Sequence, residues 1–370
     1  MMPAILQSTT CQLPSGAYLD AVRNSCNALS QTLSPDITVD EIAVQDFISR
    51  IDPSKWREAQ KEATRMPLKF DTLEQELNII ALIDLLTFGS GWRSQLKEAV
   101  GRGAYDTLRF GVMSLHISSV DVSAKYMREI TLGEVATLFN IPVTRDVPHE
   151  TLPLTLTEPH PLREFAQKIT DVMNETGAIL QQKDYRNLAH FLLDVTKPGA
   201  NGSGYPSAEN LVAALASTLP SMRDMGRCNG VDVYIFRRPQ LMALNLYRYF
   251  RDADPARFQF SDMSMLTVLA DDILPSLWIH LGVLKVSPDL AAMLERGDDL
   301  GTTTEQWDLR LRAAAVVAAE AVVQKAKTTE GLDQDLATMN HILLDAYLRQ
   351  WYKDSGAQLK RLINKKTVWY

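Results

Sequence analysis

What this chain has little of narrows its chemistry first. Three cysteines and six histidines are spread over 370 residues. Cys11, Cys26 and Cys228 are odd in number, far apart and without metal-ligand spacing, so they read as reduced thiols of a cytosolic or nuclear protein. Neither HExxH nor His-x-Glu occurs, and no GxSxG marks a serine nucleophile. Metal-assisted hydrolysis and acyl transfer therefore lack the patterns they usually show. GxxxxGK[ST] is missing too, which removes the nucleoside-triphosphate loop. Basic excess is absent: 38 Lys and Arg stand against 45 Asp and Glu, a formal charge of −7, whereas binding nucleic-acid phosphates needs a basic face. No apolar run is long and unbroken enough to span a bilayer. The opening MMPAILQSTTCQLPSG has no basic n-region and no sustained apolar h-region, so no secretory signal is expected.

What is present is helical periodicity in a chain long enough, and at 46% hydrophobic apolar enough, to bury a large core. DTLEQELNIIALIDLLTF (71–88) opens with Thr72 and Gln75 at capping-box spacing. TTTEQWDLRLRAAAVVAAEAVVQKA (302–326) offers Thr302 and Glu305 as a second box before an Ala-rich run. Further helices are predicted near 130–139, 161–183, 207–218, 239–251, 286–296 and 336–352. Strand signal is confined to GVDVYIFRR (230–238), one arm of a small hairpin. NIPVTRDVPHETLPLTLTEPHP (140–161) and KPGANGSGYP (197–206) read as loops. Composition does not change at either break. The expectation is one mainly α-helical domain with a small β element over 17–370, after a flexible stretch at 1–16.

Carboxylates stand out against this apolar background. TVLADDILPSLWIHLGVLKVS (267–287) sets Asp271 and Asp272 between two apolar runs, where the following Leu274 and Pro275 suit the first turn of a helix capped by an acid. His280, inside LWIHLGVL, reads as a hydrogen-bonded core histidine. In LLDAYL (343–348), Asp345 lies at the edge of a helix face with Arg349 at i+4, a spacing that also suits a surface ion pair. Arg223 has Asp224 as its evident partner, and LKRLINKKTVWY (359–370) reads as a docked segment with a solvated basic face.

Seven stretches recur together: LLTFGSGWR (85–93), RGAYDTLRFGVMSLHISS (102–119), NETGAIL (174–180), LPSMRD (219–224), VYIFRRPQL (233–241), LADDILPSLWIHLGVL (269–284) and LRAAAV (311–316), with LLDAYL after them. In this order and spacing the chain resembles the queuosine salvage proteins, and its GSG-W-R and RAAAV elements resemble fungal members most. The resemblance implies hydrolysis of the N-glycosidic bond of queuosine 5′-monophosphate, releasing queuine for tRNA modification. It implies no metal or organic cofactor, a small-molecule substrate, no stable nucleic-acid partner, no membrane and a monomer in the cytoplasm or nucleus. The fold implied is similar in style to the helical DNA glycosylases.

The resemblance also distributes roles. Asp271 matches the central acid of the family's Ala-Asp element, where a carboxylate would stabilise an oxocarbenium-like sugar or orient water. Asp345 would accept hydrogen bonds from the diol or amine of queuine. Arg237 and Arg238 would hold the 5′-phosphate. Phe88 and Trp92 would form an aromatic wall, although core packing also explains such residues, and Gln240 would read a base edge. The glycines of TFGSGWR would let backbone approach the ligand. The match departs at Leu269, where many relatives carry Phe, and at Arg349 and Gln350, where they carry Trp-Asp; a His expected just before MPLKF is absent. Leu269 and Gln350 are therefore counted among the substrate-binding positions. Two other readings stay open: a related glycosidase with another nucleotide or base, and a non-catalytic binding relative.

Overall fold

The computed structural model describes residues 11–61, 67–199 and 206–370. The first ten residues, the stretch at 62–66 and most of the 197–206 loop fall outside the described residues. The fold is mainly helical, and one contiguous hydrophobic core runs from Leu19 to Val368.

Its spine is the helix Trp307–Thr328. Ala313, Ala314, Ala315, Ala318, Ala319 and Ala326 are all buried, and such small side chains let neighbouring elements approach on several sides. Tyr18–Ser30, Glu41–Ser49, Ile273–His280 and His341–Ser355 pack against it. The helix does not begin at the predicted Thr302 box. Gln306 takes a left-handed conformation (φ 56°), and Thr302 closes a separate 3-10 turn by donating to the Asp299 carbonyl.

Most other helices follow the periodicity. Leu73–Leu85 is capped by Thr72, whose hydroxyl accepts from the Gln75 amide at 3.2 Å, while the Gln75 side chain accepts from the Asp71 amide instead of completing the box. Arg163–Gln182, Ala208–Thr218 and Pro288–Arg296 lie where expected, and Leu132–Leu138 carries a complete Thr131/Glu134 box. Arg237–Phe250 starts two residues earlier than predicted because Phe236 turns the chain with φ 47°. Arg237 and Arg238 thus sit in a helical first turn rather than at a strand end. His341–Ser355 begins at Asn340, whose side chain accepts from the Ile342 and Leu343 amides.

Among the described residues, three antiparallel two-stranded ladders complete the fold. Met225–Cys228 with Val231–Tyr234 is the expected hairpin. The 140–161 stretch is exposed as predicted but is not a plain loop: Thr144–Pro148 pairs with Thr155–Pro159, and each strand's proline stands at its end, where it costs little pairing. Ile37–Val39 pairs with Leu284–Val286, a contact no period reveals in strands of three residues. His280 is a correction. It is exposed at the end of its helix, with its ring 6.0 Å from that of Trp351, because the buried face of that helix is Leu274, Leu277 and Trp278. No helix among the described residues is long and apolar enough to cross a membrane.

Candidate active site

The chain's acids and arginines converge on a cavity of about 540 Å³, within the roughly 300–1,000 Å³ typical of small-molecule sites. Arg93, Arg237, Arg248, Arg349, Lys353 and Arg361 line it against Asp106, Asp271, Asp272 and Asp345. A net acidic protein thus carries a local excess of positive charge where a ligand would sit.

One wall is the irregular segment Leu266–Asp272, buried throughout. Buried backbone outside helices and strands must find polar partners, and here side chains supply them. Gln240 accepts from the Thr267 amide at 2.8 Å, Asp345 accepts from the Leu269 amide at 3.2 Å, Arg349 donates to the Leu269 carbonyl at 2.9 Å, and Arg312 Nε donates to the Ala270 carbonyl at 2.9 Å. Arg312 is itself fixed by a two-pronged pair with Asp224, 2.9 and 2.5 Å, in which both side chains are buried. The segment therefore hands Asp271 to the cavity from a rigid frame.

Asp271 is 4% exposed. Its Oδ1 accepts from the Ile273 and Leu274 amides at 2.9 and 3.3 Å, capping the next helix. Its Oδ2 accepts from Arg349 Nη1 at 2.9 Å and Arg237 Nη2 at 3.4 Å. Burial alone would push this carboxyl up; the charges of Arg349 and Arg237 overcome it and hold the group well below the usual carboxylate range. Asp271 is thus held in its ionised form by its two arginines. Of the two adjacent acids the cap is therefore Asp271; Asp272 does not cap, but accepts from Arg361 Nε at 2.6 Å and lies 3.9 Å from Arg93.

Asp345 reaches the same wall from the helix His341–Ser355. It is buried, and Arg349 one turn later donates to it through Nε at 2.7 Å and Nη2 at 3.3 Å. This is an interior bridge between two acids, not a surface pair. Phe88 and Leu269 line the cavity with them. Arg237 lines it too, although its Nη atoms go to Asp271 and to the Thr87 carbonyl at 3.3 Å.

Four predicted residues are not brought to the cavity. Arg238 is wholly buried behind Phe88, with its guanidinium 5.5 Å from that ring and its donors directed to the Leu85 and Ser221 carbonyls, so it cannot meet a phosphate. Gln240 is likewise buried, holding Thr267 and the Ile235 carbonyl. Trp92 packs near Phe165, with Lys365 over its ring. Gln350 lies apart, donating to Asp354 at 2.8 Å. The glycines of TFGSGWR also serve the fold rather than a ligand. Gly89 (φ 89°) has no room for a Cβ beside the Phe165 ring, a Cβ on Gly91 would meet the Asn364 backbone, and the Gly89 amide donates to the Tyr370 carbonyl at 2.8 Å. The 359–370 segment is thereby drawn inward, and Arg361 and Tyr370 line the cavity. Arg223 donates to the Ala216 and Ser217 carbonyls, leaving Asp224 to Arg312.

The family model described as queuosine salvage protein matches residues 68–370, which takes in every residue of this cavity. The chain belongs to the queuosine salvage protein family. It is 27% identical over 294 residues to the queuosine 5′-phosphate N-glycosylase/hydrolase of Sphaerobacter thermophilus, covering 78% of each chain. To the mouse protein of the same name it is 25% identical over 338 residues, 88% of this chain and 91% of that one. The Schizosaccharomyces pombe protein of that name is 23% identical over 151 residues, 41% and 40% of the two chains.

In this member of the family, several cavity residues had gone unassigned from sequence. Arg349 had been read as a departure, and Arg93, Lys353 and Arg361 had no role. Arg312 opens RAAAV, and an arginine leading directly into an Ala-rich helix is the one signal that it needs an interior partner.

Another buried acid, away from this wall, has the opposite electrostatics. Asp84, 2% exposed, accepts from Asn245 Nδ2 at 2.7 Å through one oxygen, while the other has no hydrogen-bond partner among the described residues. Burial pushes its carboxyl up to about 8, against the weaker opposing effects of the Asn245 bond and the Arg237 charge. Between pH ~4 and pH ~8 the folded state then holds a proton that the unfolded chain has released, so stability falls as pH rises through that window. Asp84→Asn keeps the shape and has no proton to lose. It is expected to be more stable than wild type at pH 8, on the order of 5 kcal/mol for a carboxyl raised by about four pH units, and equal to it near pH 4. Urea unfolding at both pH values checks this; equal differences at the two would contradict it.

Proposed function

We propose that this chain hydrolyses the N-glycosidic bond of queuosine 5′-monophosphate, releasing queuine and ribose 5-phosphate. The observation that carries this is Asp271, a buried carboxylate paired with Arg237 and Arg349 at the wall of a nucleotide-sized cavity. Breaking C1′–N9 leaves positive charge on the sugar ring, and the bond's electron pair departs with the base, which takes up a proton. Water adds to C1′ and gives up a proton. Queuine carries carbon in place of the purine N7, so a usual protonation site of the leaving base is missing and the burden shifts to the sugar cation. A fixed anion beside that carbon lowers the barrier by its field. With its oxygens engaged by two amides and two guanidinium groups, and its proton affinity depressed, Asp271 serves as that anion rather than as a general base.

The excess of cations around the cavity suits the dianionic phosphate. Arg361 and Lys353, not Arg237 and Arg238, are the residues proposed to bind it. Each charge-assisted contact contributes about 1.5–3 kcal/mol, or roughly tenfold to a hundredfold in affinity. Lys353→Met is expected to raise KM for queuosine 5′-monophosphate by at least ~10-fold and to leave hydrolysis of unphosphorylated queuosine unchanged; Arg361→Met should raise KM for the phosphorylated substrate likewise, with a smaller effect on both substrates through its bond to Asp272. Steady-state queuine release from both substrates tests this. An equal effect on the two substrates would place the phosphate elsewhere, and no release from either would end the enzymatic reading.

A further inference from the structure

Arg349 was assigned nothing by the resemblance, yet it makes the densest set of polar contacts at the cavity wall. Its planar fork reaches three targets: Nε goes to Asp345 Oδ2 at 2.7 Å, Nη1 to Asp271 Oδ2 at 2.9 Å, and Nη2 to the Leu269 carbonyl at 2.9 Å, with a further contact to Asp345 Oδ1 at 3.3 Å. A lysine ammonium, as a single point donor, could not hold this arrangement. The i,i+4 spacing on the helix His341–Ser355 lets Asp345 aim the fork. Exposure separates the roles: the Arg349 side chain is 28% exposed, those of Asp345 and Asp271 are 7% and 5%. The arginine therefore faces the cavity, while both oxygens of Asp345 are occupied by Arg349 and the Leu269 amide.

We infer that Arg349 is a positioning residue: anchored by Asp345, it holds the Asp271 carboxylate in its cavity-facing orientation, and Asp345 acts on the reaction through Arg349 instead of binding the base. The inference rests on Asp271 being the catalytic anion of the proposed glycosidase. It replaces the expectation that Asp345 accepts hydrogen bonds from the queuine side chain. Two acids on one wall repel unless a cation stands between them, and Arg349 is that cation. The groups facing Asp271 are Arg237 from the helix Arg237–Phe250, Arg349 and Asp345 from His341–Ser355, Asp272 beside it, and Arg361 from the 359–370 segment.

The test compares wild type with Arg349→Met, Arg349→Lys and Asp345→Asn. Kinetics are measured on queuosine 5′-monophosphate from pH 5 to 9, with melting curves to score folding. Loss of the bridge is expected to cut kcat by about 10²-fold in R349M, the scale of a small misplacement of a catalytic group, with KM changed less than about threefold. R349K keeps the charge and loses the fork, so it should lose most of kcat while retaining the wild-type pH profile; R349M should lose further activity toward the acid end of the range, where wild type does not. Asp345→Asn should lower kcat and add little further loss on top of R349M, because both act through one contact. Wild-type kcat in R349M overturns the inference, as does a rise in KM with kcat unchanged, which would make Arg349 a substrate ligand. A carboxyl ¹³C titration, with Asp271 assigned by Asp271→Asn, decides the matter without turnover: the Asp271 signal must titrate at higher pH in R349M, and an unmoved titration overturns the bridge. Absence of turnover in wild type alone would instead refute the functional reading.

Discussion

Replacing Asp271 by Asn is expected to reduce kcat for queuine release about 10³-fold, with KM altered less than about threefold. The magnitude follows from one interaction. A carboxylate about 4 Å from a developing unit charge, at an effective dielectric near 20, contributes about 4 kcal/mol, and each ~1.4 kcal/mol of barrier is tenfold in rate. The loss falls on kcat because the sugar gains its charge only in the transition state. Asn keeps an oxygen for the Ile273 and Leu274 amides, so the helix cap survives, while Arg237 and Arg349 lose a shared counter-charge. Arg349 retains Asp345, which limits the cost to folding. Queuine release measured at saturating and at limiting substrate separates the two constants. A loss smaller than about tenfold in kcat would mean that the field at C1′ comes from another group.

Arg312→Met should have the largest effect on stability. Arg312 and Asp224 have side-chain exposures of 0% and 1%, so removing the cation leaves a carboxylate buried without its counter-charge. Breaking such a pair from one side typically costs about 3–5 kcal/mol. The Ala270 carbonyl also loses its donor, and the residue after it is Asp271, so activity should fall along with stability. The double variant Arg312→Met with Asp224→Asn should recover part of the loss, since no buried charge is then stranded. Urea unfolding of the two variants is the check. Destabilisation of R312M by less than about 1 kcal/mol, or a double variant worse than the sum of its parts, would show that the pair is not what secures this wall.

The helices were largely legible because their apolar residues recur at three and four, a local property that survives any tertiary context. The capping residue Thr72 was legible for the same reason. Where the chain misled, a single backbone conformation decided: Phe236 and Gln306 at positive φ set the starts of two helices, and nothing in their side chains announces it. Asp271 was found as an acid at the edge of an apolar run, and the family resemblance supplied its role. Its partners could not be found that way, since Arg237 and Arg349 lie 34 and 78 residues from it along the chain. Arg238 shows the limit most plainly: adjacent to Arg237 in sequence, it points into the interior because consecutive helical residues face different directions. The inward path of 359–370, which brings Arg361 to Asp272, depends on the two glycines at 89 and 91 meeting a segment about three-quarters of the chain away.

The most direct measurement is a crystal structure of Asp271→Asn bound to queuosine 5′-monophosphate. The expected result is C1′ within about 4 Å of the residue 271 side chain, the separation at which a carboxylate's field is worth about 4 kcal/mol, with the phosphate at Lys353 and Arg361. A sugar lying against Asp106 or Asp272, with residue 271 turned wholly to its arginines, would contradict it.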